Sequence, residues 1–170
     1  VSAGGNAGFR PHSSGERRHG GAPPTGRVSA QKETPTDIAW VALGANLGNR
    51  SRQLALLRDL LQRDGVRIDA ESQERLTRAV GVTNQPDFLN QVVRLRSPEP
   101  WPPRRWLQHT QRAEYDAGRR PTYRWGPRRA DADILLLGED GSMRYSDADL
   151  TVPHPSLPDR PFFGEMLAEL

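Results

Sequence analysis

The sequence contains no cysteine, which excludes a disulfide framework, a zinc–thiolate site and a cysteine nucleophile. Lysine is nearly absent too: Lys32 stands alone against 23 arginines, and no phosphate-binding loop with its lysine occurs anywhere. Apolar runs stay far short of the roughly 20 residues that a membrane-spanning helix needs. Nothing in the first residues joins a basic start to a long apolar block, so no secretory leader is expected. The net charge of +3 is too small to argue for nucleic acid by itself. These absences lead to the expectation of a soluble, cytoplasmic protein with no membrane partner.

What is present suits one domain: 170 residues are enough for a real core. Residues 1–37 are rich in Gly, Ser, Pro and Arg and show no apolar periodicity. Such a segment cannot bury enough surface to offset its ordering entropy, and it reads as a disordered N-terminal tail preceding a domain at 38–170. Ile38 to Leu43 is a short apolar strand stopped by Gly44-Ala45-Asn46-Leu47-Gly48-Asn49. A helix follows over 50–64, with Leu54, Leu57 and Leu61 on one face, Asn49 or Ser51 as cap and Gly65 as terminator. Strands are expected at 66–76 and 88–96. A second helix at 103–117 starts at Pro102-Pro103 and turns Trp106, Thr110, Ala113 and Ala117 inward. The last core strand covers 132–138.

That order, β-α-β-β-α-β, is the ferredoxin-like arrangement of an antiparallel sheet with both helices on one face, an α+β fold. An edge pair over about 142–152 and a short helix from 160 would cover the other face and give three layers, α/β/α. Fold alone names no function.

The chemistry concentrates between 119 and 138. Five arginines lie between Arg119 and Arg129 with no acid among them, and a sharp turn at Gly126-Pro127 leads into Asp131-Ala132-Asp133 at the mouth of the apolar run Ile134 to Leu137. Side chains two apart on a strand share a face, so Asp131 and Asp133 sit side by side. Paired carboxylates resist ionising together unless a cation lies between them, and hard oxygen donors suit magnesium. The bland alternative is a strand end with two solvated aspartates behind a basic loop.

Arg124-Trp125-Gly126-Pro127-Arg128 followed by Asp131-x-Asp133 resembles the 6-hydroxymethyl-7,8-dihydropterin pyrophosphokinases of the folate pathway. Three further blocks are similar to that family in the same order: Leu43-Gly44-Ala45-Asn46-Leu47-Gly48, Gln85-Pro86-Asp87-Phe88-Leu89-Asn90, and Val152-Pro153-His154-Pro155 continuing to Arg160 and Phe162. At 75–78 the chain departs from the pattern: Arg75 stands where an aromatic is common and Arg78 where a proline is. The resemblance implies pyrophosphoryl transfer from ATP to the hydroxymethylpterin, giving the pterin diphosphate and AMP.

By the same resemblance, Asp131 and Asp133 hold two magnesium ions, with Arg119 and Arg128 beside them as catalytic groups. Phe88, Asn90 and Phe162, with Thr77 and Val80, form the pterin pocket. Gln111, Glu114, Trp125, Arg128, His154 and Arg160 serve the nucleotide. Without the resemblance, Phe88 reads as a core aromatic, Asn90 as a turn former, His154 as structural and Glu114 as equally a surface ion-pair partner. ATP and the pterin are the expected small-molecule partners of a monomer. Two rivals remain: a ferredoxin-like nucleic-acid-binding module, and a weak or repurposed relative. The first lacks the aromatic-rich strands of RNA-reading sheets.

Overall fold

Strand β1 (Thr36–Ala45) is the spine of the molecule, hydrogen-bonded on both sides. The computed structural model describes residues 33–78, 84–120 and 129–170. After β1, helix α1 (Arg50–Leu61) leads to β2 (Arg67–Glu71) and β3 (Arg75–Thr77). The long strand β4 (Phe88–Trp101), helix α2 (Pro103–Asp116) and strand β5 (Asp131–Leu137) complete the sheet. A small hairpin, β6 (Tyr145–Ser146) with β7 (Thr151–Val152), and helix α3 (Pro161–Leu167) close the chain. The main sheet runs β2-β4-β1-β5, with β3 continuing the β2 edge against β4, and its strands pair antiparallel. With β2 and β3 counted as one broken strand, this is the expected ferredoxin-like order.

Alternation along β1 builds three layers. Ala39, Val41, Leu43 and Ala45 face α1 and α2, where Leu54, Leu57, Leu61, Trp106 and Ala113 fill the larger core. Ala42 faces the other way and packs with Val92, Leu135, Phe163 and Met166 beneath α3. Asn49 caps α1 as expected, its Oδ1 accepting the Arg52 N–H at 3.0 Å. Among the described residues, no helix is long and apolar enough to cross a membrane.

Three boundaries differ from the sequence expectation, each for a local reason. Helix α1 stops at Leu61 rather than 64, because Asp64 and Gly65 both adopt positive φ. The strand expected over 66–76 is broken at Ser72, whose Oγ accepts the Val92 N–H at 3.0 Å in place of a ladder carbonyl. Strand β4 runs on to Trp101 despite Pro98 and Pro100. Its register against β1 shifts there, so the missing N–H donors fall in an irregular stretch. Trp101 lands buried beside Trp106 and His109, with ring centroids 4.8 and 5.2 Å away. The fold also reaches back into the segment read as tail: β1 opens at Thr36, and Tyr145 donates to Glu33 at 3.1 Å. Residues 1–32 lie outside the described residues.

Candidate active site

Antiparallel pairing places Gly44 opposite Asn90 on one side and Asp131 on the other, and Ala42 opposite Asp133. These residues share the sheet face that α3 partly covers. They floor a narrow slot of about 60 Å³ whose walls are Thr77, Arg78, Gln85, Phe88, Arg160, Phe162 and Phe163. Phe88 and Phe162, separated by 74 positions in the chain, therefore border one space. Asn90 is buried, and its Nδ2 donates to Thr77 Oγ1 at 2.7 Å. That bond turns the carbonyl oxygen toward Gly44, where a Cβ would lie 3.2 Å from it. Gly44 thus keeps the slot open, a role invisible in a sequence where it reads as the start of a turn. Gln85 is tied to the buried Asn46, whose Nδ2 donates to Gln85 Oε1 at 2.9 Å.

A second, wider cleft of about 460 Å³ lies along β5, between α2 and the 147–155 segment. Thr110, Gln111 and Glu114 of α2, Arg119, Asp147, Asp149 and His154 line it. Asp133 borders both spaces. His154 is set by two backbone contacts: its N–H donates to Leu135 O at 2.8 Å, and its Nδ1 accepts the Ser156 N–H at 3.1 Å. The neutral ring then carries its proton on Nε2. Burial holds the His154 pKa below its ordinary value, helped by the Arg160 charge and opposed by Asp131.

Glu114, Asp131 and Asp133 form the junction of the two spaces, each offering a carboxylate oxygen within 4.8 Å of the others. Glu114 comes from the helix layer. Its Oε1 accepts the Ala132 N–H at 2.7 Å and a bond from Arg119 Nη1. Arg119 Nη1 also donates to Asp131 Oδ1 at 2.8 Å. Burial, and next the Asp131 charge, push the Glu114 carboxyl up to about 8, against the opposing pull of Arg119. A hard divalent cation fits this donor set, since it would replace the mutual repulsion of three carboxylates by attraction.

Every sequence-predicted site residue that falls in the described part lies on one of the two spaces. Thr77, Phe88, Asn90, Asp131, Phe162 and Arg160 line the slot; Gln111, Glu114, Arg119 and His154 line the cleft; Asp133 lines both. Arg160, expected at the nucleotide, borders the slot, and its charge also acts on His154 of the cleft. Val80, Trp125 and Arg128 lie outside the described residues. Gly44 was missed, and Arg78, which the sequence marks only as a departure from the family pattern, also borders the slot. Glu114 was missed as a third metal-competent carboxylate, and only the α2–β5 contact reveals it.

The small α+β scaffold thus carries a carboxylate cluster between a narrow slot and a wider, charged cleft. A family model described as 7,8-dihydro-6-hydroxymethylpterin-pyrophosphokinase (HPPK) matches residues 40–170, and the chain belongs to this family. It is 37% identical over 135 residues to the 2-amino-4-hydroxy-6-hydroxymethyldihydropteridine pyrophosphokinase of Bacillus subtilis, covering 79% of this chain and 78% of that one. Against the enzyme of the same name from Haemophilus influenzae the identity is 33% over 133 residues, 78% of this chain and 80% of the other. A mitochondrial folate synthesis bifunctional protein of Pisum sativum is 33% identical over 84% of this chain but only 27% of its own length. The chain is therefore an enzyme of the pyrophosphokinase type.

Proposed function

We propose that this chain transfers the pyrophosphoryl group of ATP to the hydroxymethyl oxygen of 6-hydroxymethyl-7,8-dihydropterin in folate biosynthesis. The observation that carries this reading is the position of Asp133, on the border of both the narrow slot and the wide cleft. A donor and an acceptor lodged in those two spaces would meet at the carboxylates. The pterin oxygen would bond to the β-phosphorus, the bond from that phosphorus to the α,β-bridging oxygen would break, and AMP would leave with the electron pair. The hydroxyl proton is released, and no covalent enzyme intermediate is required. Positioning and electrostatics supply most of the rate.

In the slot, Phe88 and Phe162 would hold the flat ring by their faces. Asn90 presents its carbonyl oxygen beside Gly44 to accept an N–H from the heterocycle edge. In the cleft, the Nε2–H of His154 would donate to a phosphate oxygen. Arg119, which spans Glu114 and Asp131, would donate to phosphate once a cation takes over that neutralising role. Asp131 and Asp133 would hold two magnesium ions, with Glu114 as a further oxygen donor at the same place. When bound, such ions neutralise triphosphate charge and align attacking and leaving oxygens. All of these groups belong to one chain, which we take to act as a monomer on small molecules.

The test is release of AMP from ATP and magnesium, with and without 6-hydroxymethyl-7,8-dihydropterin. Stoichiometric AMP and pterin diphosphate are expected only when the pterin is present. ATP turnover indifferent to the pterin would overturn the assignment.

A further inference from the structure

Helix α3 supplies one side of the slot, yet it has only seven residues, of which Phe163 and Met166 are buried. Phe162 lies in its first turn, and Arg160 occupies the N-cap position without a side-chain capping bond. A helix this short does not hold itself together, so its place depends on what fastens it. Its far end is an electrostatic liability: Glu165 and Glu169 stand one turn apart near the C-terminus, where the helix dipole also disfavours negative charge. Arg75 of β3 answers both problems. Its Nη1 donates to Glu165 Oε2 at 2.7 Å and its Nη2 to Glu169 Oε1. The other oxygen of Glu169 accepts the Gln73 N–H at 2.8 Å. Two residues along β3, Thr77 accepts the Asn90 amide at 2.7 Å. One short strand therefore grips α3 with one residue and positions the amide of the opposite wall with another.

We propose that Arg75 is a positioning residue for the pterin slot, holding α3 so that Phe162 and Arg160 face the Thr77–Asn90 wall at the width of a flat heterocycle. This rests on the pterin reading above. Arg75 stands outside the slot lining; its backbone pairs with Asn90 across β3 and β4, while its guanidinium reaches Glu165 and Glu169, so it is the side chain that acts through the helix.

The experiment titrates 6-hydroxymethyl-7,8-dihydropterin into wild type, Arg75→Gln, Arg75→Lys, Glu165→Gln/Glu169→Gln and the triple variant. A non-hydrolysable ATP analogue with magnesium is held saturating, at about 0.05 and 0.5 M salt. Hydrogen exchange of residues 161–170 is followed in parallel without ligand. Arg75→Gln is expected to weaken pterin binding about three- to tenfold. KM for the pterin should rise by that factor with kcat within about twofold. Arg75→Lys recovers only part, because one ammonium cannot fork across two carboxylates. The triple variant binds no more weakly than Arg75→Gln, since both sets remove one fastening. Salt weakens the wild type although the ligand is neutral, and leaves Arg75→Gln unaffected. Exchange in 161–170 quickens in Arg75→Gln. If wild type binds the pterin and Arg75→Gln binds it equally well, or exchange in 161–170 is unchanged, the positioning role is wrong. If wild type itself fails to bind the pterin, the substrate assignment falls and takes this role with it.

Discussion

The slot and the cleft solve opposite recognition problems within a few ångströms of each other. The slot measures about 60 Å³ and is floored by strand residues, with one amide whose orientation is locked. The cleft, at about 460 Å³, is bounded by a helix, a hairpin segment and a concentration of charge. A flat neutral ring is recognised by close shape and one or two directed hydrogen bonds, so a misplaced methyl group matters. A polyanion is recognised by charge, so the slot should respond to volume and the cleft to ionisation. The carboxylates between them should respond to both ligands.

The largest effect is expected at that junction. Asp131→Asn and Asp133→Asn should each lower turnover by about a thousandfold or more, the scale of losing several kcal/mol of metal-borne charge stabilisation. Thermal midpoints should change little, because volume is conserved. Near-normal turnover of either variant at saturating magnesium would dissolve the shared boundary between the two spaces. Next comes volume in the slot. The Cβ of Gly44→Ala would lie 3.2 Å from Asn90 Oδ1, and Asn90 is held by Thr77. Overpacking of this kind costs about 1–3 kcal/mol, so pterin affinity should fall roughly five- to a hundredfold, while binding of an ATP analogue stays within about twofold. Equal losses for both ligands would show that the spaces are not separate.

Ionisation on the cleft side comes last, because it is read in stability rather than in turnover or affinity. The Glu114 carboxyl, near 8 in the fold against an ordinary 4.5, keeps a proton that the unfolded chain gives up between those values. Stability from this group is therefore full below pH 4.5 and lost as pH rises toward about 8, with a slope of at most ~1.4 kcal/mol per pH unit. His154 acts in the opposite sense below its ordinary 6.5, so the variant difference matters rather than the raw curve. Glu114→Gln should remove the decline in metal-free urea unfolding between pH 5 and 8. A parallel decline in both proteins would remove Glu114 from the buried junction.

Much of this arrangement is readable from the residues. Period-two and helical patterns predict the order of elements, and strand spacing alone puts Asp131 and Asp133 on one face. What was missed depends on partners distant in the chain. Glu114 joins the carboxylates because an α2 side chain reaches the Ala132 N–H. Gly44 looks like punctuation until β4 and β5 flank it. Pro98 and Pro100 suggest a loop, and only the shifted register against β1 lets β4 continue to Trp101. Arg75 looked like a departure from the family pattern, and its partners lie 90 and 94 positions away.

Crossed titrations of Asn90→Ala test the division most directly. With the ATP analogue and magnesium already saturating, pterin is titrated into the variant; separately, the analogue is titrated without pterin. Loss of the buried amide contact, worth about 1–3 kcal/mol, predicts pterin affinity lower by roughly five- to a hundredfold. Affinity for the analogue should stay within about twofold of wild type. Pterin bound as tightly as by wild type would contradict the slot assignment and leave Asn90 as a strand residue that merely pairs with Thr77.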